Sequence, residues 1–157
     1  MNYRRKFVEG HSYFITMVTY NRKPLLIENI DALRNAFVWS KKRYIYDINA
    51  IVILPDHLHM IITPKNMEEY PKIITHIKRS FLYGLDKCVK DEAKMYISAS
   101  KHKRQHSGIW QDRYYEHTIR DEKDYQKYLN YIKINPLKHN LVEDINDWKY
   151  SSFYNNV

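Results

Sequence analysis

Two histidines, His57 and His59, are separated by one residue in the apolar segment "VILPDHLHMIIT", which covers residues 52–63. If this segment is a strand, residues two apart point to the same face, so both imidazoles can converge on one metal ion. Each buried imidazole must otherwise find a polar partner or suffer a desolvation cost. The spacing therefore leaves two interpretations open: a pair of metal ligands with vacant coordination positions, or two hydrogen-bonded core histidines.

A second group of chemically capable residues occurs in "YQKYLNYIKINP", which begins at residue 125. Tyr131 and Asn135 are four residues apart and share one face if this segment is a helix. An asparagine amide oxygen suits a hard ion such as Mg²⁺ or Mn²⁺, and a tyrosine could attack a phosphodiester that the same ion polarises. Spacing does not single out the tyrosine, because Tyr128 and Tyr125 lie near the same face. The pattern also fits a tyrosine-rich helix that only packs on a sheet.

Several other kinds of site are excluded by composition. The chain has three glycines and one cysteine, so it contains no glycine-rich phosphate loop and no cysteine-rich zinc site. Cys88 lies in a helical pattern with nothing to activate it as a nucleophile. A single cysteine fits a reducing compartment, no signal peptide is visible, and the longest apolar run, "AIVIL", is too short to span a bilayer. We expect a cytoplasmic protein without a membrane partner.

The charge of the chain favours a polyanionic partner. Its 26 lysines and arginines outnumber 18 acidic residues, for a formal net charge of +8, and many of them occur in the clusters "RRK", "KKR" and "KHKR". Such residues bind phosphates with release of counterions, and the 15 tyrosines and three tryptophans offer faces on which unpaired bases stack. This composition predicts nucleic-acid binding, although a solvated basic surface would look the same.

The elements that must position these residues alternate between strand and helix patterns. We predict one domain, an antiparallel α+β fold with its helices on one face of the sheet. Proline disfavours helical geometry in the residue before it, so the last helix should kink or stop near Asn135. The predicted strands cover residues 12–19, 46–54, 57–63 and 109–119, and the predicted helices cover 29–44, 70–90 and 121–141. The second and third strands should form a hairpin, or a single strand that continues past a bulge. An exposed, mobile loop is predicted at 91–108.

These residues and their neighbours resemble the motifs of a known family. "LPDHLHMI" resembles the His-hydrophobic-His (HUH) motif of single-tyrosine transposases. "GIWQDRYYEHTIRDEKDYQKYLNYIKINPLKHNLV", "DWKYSSF" and the opening "YRRKF" with "YFITMVTYNRKPLL" are similar to the REP-associated branch of the insertion-sequence-200-like superfamily. The resemblance covers nearly the whole chain and is weakest between residues 86 and 106. Asn140 stands where that branch commonly has glycine, and asparagine tolerates the left-handed backbone better than most residues.

The resemblance implies a single HUH transposase domain over residues 1–157 with a ferredoxin-like, RRM-like antiparallel sheet. It implies that Tyr131 is the nucleophile and that His57, His59 and Asn135 hold a divalent ion, Mg²⁺ or Mn²⁺. The implied activity is cleavage and rejoining of single-stranded DNA through a 5′-phosphotyrosine intermediate. The implied substrate carries hairpins or palindromic repeats, and the protein would act as a monomer or homodimer.

Basic and aromatic residues are candidates for DNA contacts around this site. We predict that phosphates are bound by Arg4, Arg5, Arg79, Arg113 and Lys127, the last of which could also lower the pKa of the Tyr131 phenol. Trp110, Tyr114 or Tyr115 could stack on bases. Any of these side chains could equally be core or solvated surface. Two other functions stay open: a domesticated, non-catalytic module that binds single-stranded nucleic acid, and a metal-dependent hydrolase that uses water.

Overall fold

The structure, a computed structural model, describes residues 8–154, so the predicted contacts at Arg4 and Arg5 lie outside the described residues. No helix in this part of the chain is long and apolar enough to cross a bilayer. Four strands and six helices follow one another in this order: β1 (Tyr13–Val18), α1 (Leu25–Glu28), α2 (Ile30–Arg43), β2 (Tyr46–Ile53), β3 (His57–Pro64), α3 (Tyr70–Gly84), α4 (Lys87–Lys94), α5 (Ala99–Lys103), β4 (Tyr115–Thr118) and α6 (Glu122–Lys138).

The four strands form one antiparallel sheet in the order β2-β3-β1-β4. Two strand–helix–strand units, β1–α2–β2 and β3–α3–β4, interleave so that β1 and β3 occupy the centre. This arrangement confirms the predicted ferredoxin-like α+β fold. The predicted hairpin is also confirmed: Pro55 and Asp56 form the turn between β2 and β3, and the backbone N–H of Leu54 donates to the carbonyl of His57 at 2.8 Å.

Both faces of the sheet are buried, and helices cover each of them. On one face Ile15, Met17 and Met60 pack against α2 and α3. On the other face Phe14 and Ile61 pack against α6. The expectation that all helices lie on one face was therefore wrong. The physical reason is the composition of β3, where seven of eight residues are buried, so that each side of this strand needs a cover.

The segment after β3 differs from its prediction in two places. The helix predicted over 70–90 ends at Gly84, because Leu85 adopts extended backbone geometry and a new helix starts at Lys87. The segment 91–108 was predicted to be a loop, but it contains the end of α4 and all of α5. The hydroxyl of Ser98 caps α5 by accepting from the N–H of Lys101, a local signal for a helix start.

The last helix ends at Lys138, three residues beyond Asn135, so the predicted stop was about one turn too early. Pro136 lies within the last turn of α6, where its missing N–H removes one hydrogen bond of a helix that is about to end. The helix then closes in a Schellman arrangement: the N–H of Asn140 donates to the carbonyl of Leu137, and the N–H of Leu141 to that of Pro136. Asn140 has a φ of 57°, the left-handed conformation that this turn requires and that glycine commonly provides.

The segment predicted as a strand over 109–119 forms β4 only from Tyr115 to Thr118. Its first part meets the sheet through a single bridge between Trp110 and Thr19. Trp110 is buried, with its ring 5.3 Å from that of Phe81. The prediction that Trp110 stacks on bases was therefore wrong, because the apolar core already holds this side chain.

The connection from β4 to α6 is fixed by Asp124. Its buried carboxylate accepts from the imidazole of His117 at 2.7 Å and from the backbone N–H of Arg120 at 3.0 Å. Asp121 caps the helix by accepting from the N–H of Asp124 at 2.8 Å. Burial alone would raise the pKa of Asp124, but these hydrogen bonds, with the Arg120 guanidinium, lower it to about 2.

We predict that Asp124→Asn destabilises the protein by about 2 kcal/mol at neutral pH, because charge-assisted hydrogen bonds of this kind contribute ~1.5–3 kcal/mol. A carboxylate whose pKa is depressed by folding stabilises the native state above its unfolded pKa, and this contribution is lost as the pH falls through the folded value of about 2. Denaturant unfolding between pH 2 and pH 7 should show a weaker acid dependence in the variant.

Glu122→Gln is the matched control, because Glu122 is an exposed acidic residue in the same helical turn. It should leave both the stability and its pH profile close to those of the parent protein. Equal effects of the two substitutions would contradict the role given to Asp124.

Candidate active site

His57 and His59 lie side by side on the central strand β3, on the face that α6 covers. Both side chains are nearly excluded from solvent, with relative exposures of 5% and 4%, and their ring centres are 4.9 Å apart. Because the two residues point to the same face, both imidazoles enter the space between the sheet and α6. The structure thus brings the two predicted ligands together.

A carboxylate in the hairpin turn orients His57. The Oδ1 atom of Asp56 lies 2.6 Å from Nδ1 of His57. Since an ionised carboxylate can only accept, Nδ1 carries the proton and Nε2 keeps its lone pair. Burial lowers the pKa of His57 despite the neighbouring carboxylate, so the neutral imidazole, which is the form that binds metals, predominates at neutral pH.

His59 has a partner on the neighbouring strand. Its Nδ1 lies 2.7 Å from the hydroxyl of Thr16, the residue that faces it in the β1–β3 register. Its Nε2 is buried with no hydrogen-bond partner in the described part of the chain. Burial and the neighbouring His57 lower the pKa of His59 to about 3, so the ring is neutral with a free lone pair.

Tyr131 reaches this pair from α6. Its ring centre is 5.0 Å from that of His59 and 5.9 Å from that of Phe14, with the rings edge to face in both pairs. The side chain is half-buried, so part of it is open to solvent. The neighbouring tyrosines of the same helix have other surroundings.

Tyr128 and Tyr125 are less suited to attack. Tyr128 packs on Phe14 and His117, and burial together with the hydrogen bond that its phenol donates to Tyr115 raises its pKa to about 12. Tyr125 is buried, and burial also raises its pKa. A higher phenol pKa leaves less phenolate at neutral pH. The structure therefore separates three tyrosines that spacing could not distinguish.

Asn135 lies one turn beyond Tyr131 and is fully buried. Neither its amide nitrogen nor its amide oxygen has a hydrogen-bond partner among the described residues. The residues one turn to either side face the histidine pair: Tyr131 contacts His59, and the ring of His139 lies 5.2 Å from that of His57. The amide of Asn135 therefore belongs to the same helical stripe that faces β3.

These residues fit a divalent metal ion. Within residues 8–154, no three histidine, cysteine, aspartate or glutamate side chains form a group that could hold a metal, so a third ligand beside the two histidines would be of another type. Leaving a buried polar group without a partner costs about 1–3 kcal/mol. Nε2 of His59 and the amide oxygen of Asn135, both without partners among the described residues, are atoms of types that bind divalent ions.

A basic residue that was not predicted from the sequence, Lys138, lies near Tyr131. The ammonium of Lys138 lies 5.2 Å from the ring centre of Tyr131, whereas that of Lys127 lies 5.3 Å from the ring of Tyr128. Arg79 is exposed on α3, in the layer on the other face of the sheet. Arg113 is exposed in the segment before β4. Arg79 lies in that other layer because α3 packs on the face of the sheet opposite the histidine pair, and DNA binding by Arg79, Arg113 and Lys127 stays a prediction.

Sequence reasoning missed several neighbours of the histidines. His139 continues the four-residue spacing of Tyr131 and Asn135, and Asp56 directly precedes His57, so both carried a usable signal. Thr16 carried none, because its contact with His59 depends on the strand register. Tyr114 and Tyr115 were proposed to stack on bases; Tyr115 is exposed, and Tyr114 is half-buried.

The chain is similar to known proteins in both sequence and fold. Residues 7–135 match the family model described as "Transposase IS200 like". A solved structure of a REP-associated tyrosine transposase bound to a REP hairpin is similar, with a TM-score of 0.73 and 32% sequence identity, over 98% of this chain and 83% of that one.

Two curated relatives are similar along nearly the whole chain. A REP-associated tyrosine transposase from Escherichia coli is 34% identical over 157 residues, which cover 99% of this chain and 84% of the relative. A relative from Haemophilus influenzae, which carries the same name in provisional form, is 40% identical over 158 residues, covering 99% of this chain and 87% of the relative.

We predict that Asn135→Leu stabilises the metal-free protein by about 1 kcal/mol, because it replaces a buried amide without partners by an apolar group of similar size. Denaturant unfolding in the presence of a chelator measures this difference. A lower stability of the variant would show that the amide has a partner in the folded protein.

Ser40→Ala is the contrasting control. Ser40 is also fully buried, but its hydroxyl donates to the carbonyl of Phe37 at 2.8 Å and bonds to the hydroxyl of Tyr46. Its removal should therefore destabilise the protein by about 1 kcal/mol, opposite in sign to the effect at Asn135.

Proposed function

Because the chain belongs to the IS200-like transposase family, we propose that it cuts and rejoins single-stranded DNA through a covalent bond between Tyr131 and a 5′ phosphate. Membership of this family confirms the predicted enzyme class, a tyrosine transposase. The observation that carries the proposed chemistry is the position of Tyr131, whose ring lies 5.0 Å from that of His59, beside buried polar atoms that lack protein partners.

The proposed substrate is single-stranded DNA that forms hairpins or palindromic repeats. The similar solved structure contains a REP-associated transposase bound to a REP hairpin, and its fold covers 98% of this chain. The net charge of +8 supports the same class of partner, since binding to phosphates is driven by cationic side chains.

We propose that His57, His59 and Asn135 hold a divalent ion, Mg²⁺ or Mn²⁺. The proton that Asp56 holds at Nδ1 of His57 would direct Nε2 of that imidazole to the ion. Nε2 of His59, which is buried without a partner among the described residues, would bind the same ion, and the Asn135 amide would add its oxygen. When bound, such an ion neutralises charge on the scissile phosphate and makes the phosphorus more electrophilic. Two imidazoles and one amide leave positions for the substrate.

Tyr131 performs the proposed bond exchange. Its phenol oxygen attacks the phosphorus, the new bond joins Tyr131 to the 5′ phosphate, and the bond from phosphorus to the 3′ oxygen breaks. The phenol proton passes to solvent, and the departing 3′ oxygen takes up a proton to become a hydroxyl. The exchange conserves one phosphodiester bond, so rejoining can occur by the reverse attack of a 3′ hydroxyl without a nucleotide cofactor.

A single chain supplies all four residues of the proposed site. Tyr131 and Asn135 on α6 face the histidines of the same chain, because α6 packs directly on β2 and β3. The rigid strand and helix hold the side chains in place before DNA arrives, which lowers the entropic cost of reaching the reactive geometry.

We predict that Tyr131→Phe abolishes covalent attachment to a labelled hairpin oligonucleotide, whereas binding in a native gel stays within about threefold. The phenol oxygen is the proposed attacking atom, and the ring that packs on His59 and Phe14 is retained. A denaturing gel with Mg²⁺ or Mn²⁺ detects the adduct. Candidate oligonucleotides come from repeats that flank the coding region.

Tyr128→Phe is the matched control, since it removes the same atom one turn earlier on α6. It should retain the adduct. An adduct that survives in Tyr131→Phe and disappears in Tyr128→Phe would identify the other tyrosine as the nucleophile. Cut strands without attached protein would indicate hydrolysis by water, and binding without cleavage would indicate a non-catalytic module.

We predict that a chelator or the substitution His59→Ala lowers the rate of adduct formation by at least about 100-fold, because removal of a metal ligand withdraws charge stabilisation from the reacting phosphate. Addition of Mn²⁺ to the chelated protein should restore adduct formation by the parent protein, whereas His59→Ala should stay inactive at the same Mn²⁺ concentrations. His102→Ala, at an exposed histidine on α5, should behave like the parent. Full activity in the chelator would contradict the metal site.

A further inference from the structure

Arg22 lies next to the proposed metal site, in the segment between β1 and α1, which contains none of the proposed catalytic residues. Its Nη1 atom is 3.4 Å from Oδ2 of Asp56, whose other carboxylate oxygen binds His57 at 2.6 Å. The Arg22 side chain is 61% exposed, and this long contact engages one of its five N–H donors. An exposed pair of this kind contributes little to stability, so the arginine has no strong structural reason to be there.

The backbone at Arg22 adopts a conformation that side chains rarely take. Asn21 and Arg22 have φ values of 55° and 50°, two consecutive left-handed residues that are not glycine. Such geometry costs on the order of 1 kcal/mol or more per residue and persists where surrounding bonds enforce it. Here the N–H of Arg22 donates to the carbonyl of Thr19, whose own N–H donates to the carbonyl of Asp56. The loop thus holds the guanidinium beside the hairpin turn that carries His57.

Lys138 provides a second cation on the other element of the site. It lies at the end of α6, with its ammonium 5.2 Å from the ring centre of Tyr131, and it is exposed. The ring centre of Tyr131 lies 5.0 Å from that of His59, and the Asp56 carboxylate that contacts Arg22 also binds His57, whose ring centre is 4.9 Å from that of His59. Both cations therefore act on the same small volume, one beside the tyrosine and one beside the histidine pair.

We propose that Arg22 and Lys138 bind the DNA phosphates that flank the scissile phosphate, and so position the strand for attack by Tyr131. This inference rests on the proposed function, because it presumes a DNA strand between β3 and α6. Arg22 suits the role because a guanidinium can bind two phosphate oxygens at once. Lys138 suits it as a mobile point charge next to the attacking phenol.

The test measures binding of a single-stranded oligonucleotide to the full chain as a function of salt. All variants carry Tyr131→Phe and are measured with a chelator, so neither cleavage nor metal contributes. Each lost phosphate contact lowers the slope of log K against log salt concentration by about 0.7 for single strands. Arg22→Gly and Lys138→Ala should each show this decrease and at least about threefold weaker binding at low salt.

Lys133→Ala is the matched control for Lys138, because Lys133 lies on the same helix with its ammonium over the ring of Phe153, 5.9 Å away. It should leave the slope unchanged. Arg22→Lys keeps the positive charge but loses the planar guanidinium. It should therefore keep the slope of log K against log salt concentration and bind DNA more weakly. Equal slopes for Arg22→Gly, Lys138→Ala and Lys133→Ala would overturn the proposal.

Arg22→Gly also separates binding from folding. Glycine adopts the left-handed backbone without strain, so this variant should unfold at a denaturant concentration no lower than that of the parent while binding DNA more weakly. Absence of any DNA binding by the parent chain would instead refute the proposed function itself. Parent binding with unchanged slopes in the variants would refute only the role of the two cations.

Discussion

The burial of imidazole and amide groups between β3 and α6 is the constraint on which the site depends. A protein core normally excludes polar atoms that lack partners, since each costs about 1–3 kcal/mol. Here Nε2 of His59 and both amide atoms of Asn135 are buried without protein partners in the described chain. The apolar contacts on both faces of the sheet allow the fold to tolerate this cost, and two of these atoms, Nε2 of His59 and the amide oxygen of Asn135, are of types that a metal ion would use.

The division of labour between elements follows from this constraint. The histidines belong to a central strand whose neighbours on both sides fix its register, and Asp56 and Thr16 hold the rings from outside. Tyr131 and Asn135 belong to a helix whose first turn is anchored by Asp124 and whose last turn is closed at Asn140. Sites built on strands and helices hold side chains more accurately than sites on loops. The two exposed cations, Arg22 and Lys138, lie at the edges, where a DNA strand would arrive.

Short-range periodicity predicted which candidate side chains share a face, whereas the choice of Tyr131 and of the ligand set came from the family resemblance. The spacing of two in the strand and of four in the helix predicted which side chains share a face, and the structure places all four together. Long-range placement could not be read in this way. Thr16 meets His59 only because β1 pairs with β3, and Arg22 reaches Asp56 only because the loop folds back. Arg79 lies on the other face of the sheet because α3 packs there. Pro136 misled the prediction because the cost of proline depends on how close the helix end is, which other residues decide.

The central claim is that Tyr131 becomes covalently attached to a 5′ phosphate beside the His57–His59 pair. The most direct measurement is tryptic digestion of the protein–DNA adduct formed with Mn²⁺, followed by mass spectrometric sequencing of the modified peptide. Cleavage after Lys127 and Lys133 gives a peptide that contains both Tyr128 and Tyr131, and fragmentation within it distinguishes the two. The account predicts the nucleotide on Tyr131. A nucleotide on any other residue, or strands cut without a modified peptide, would contradict it.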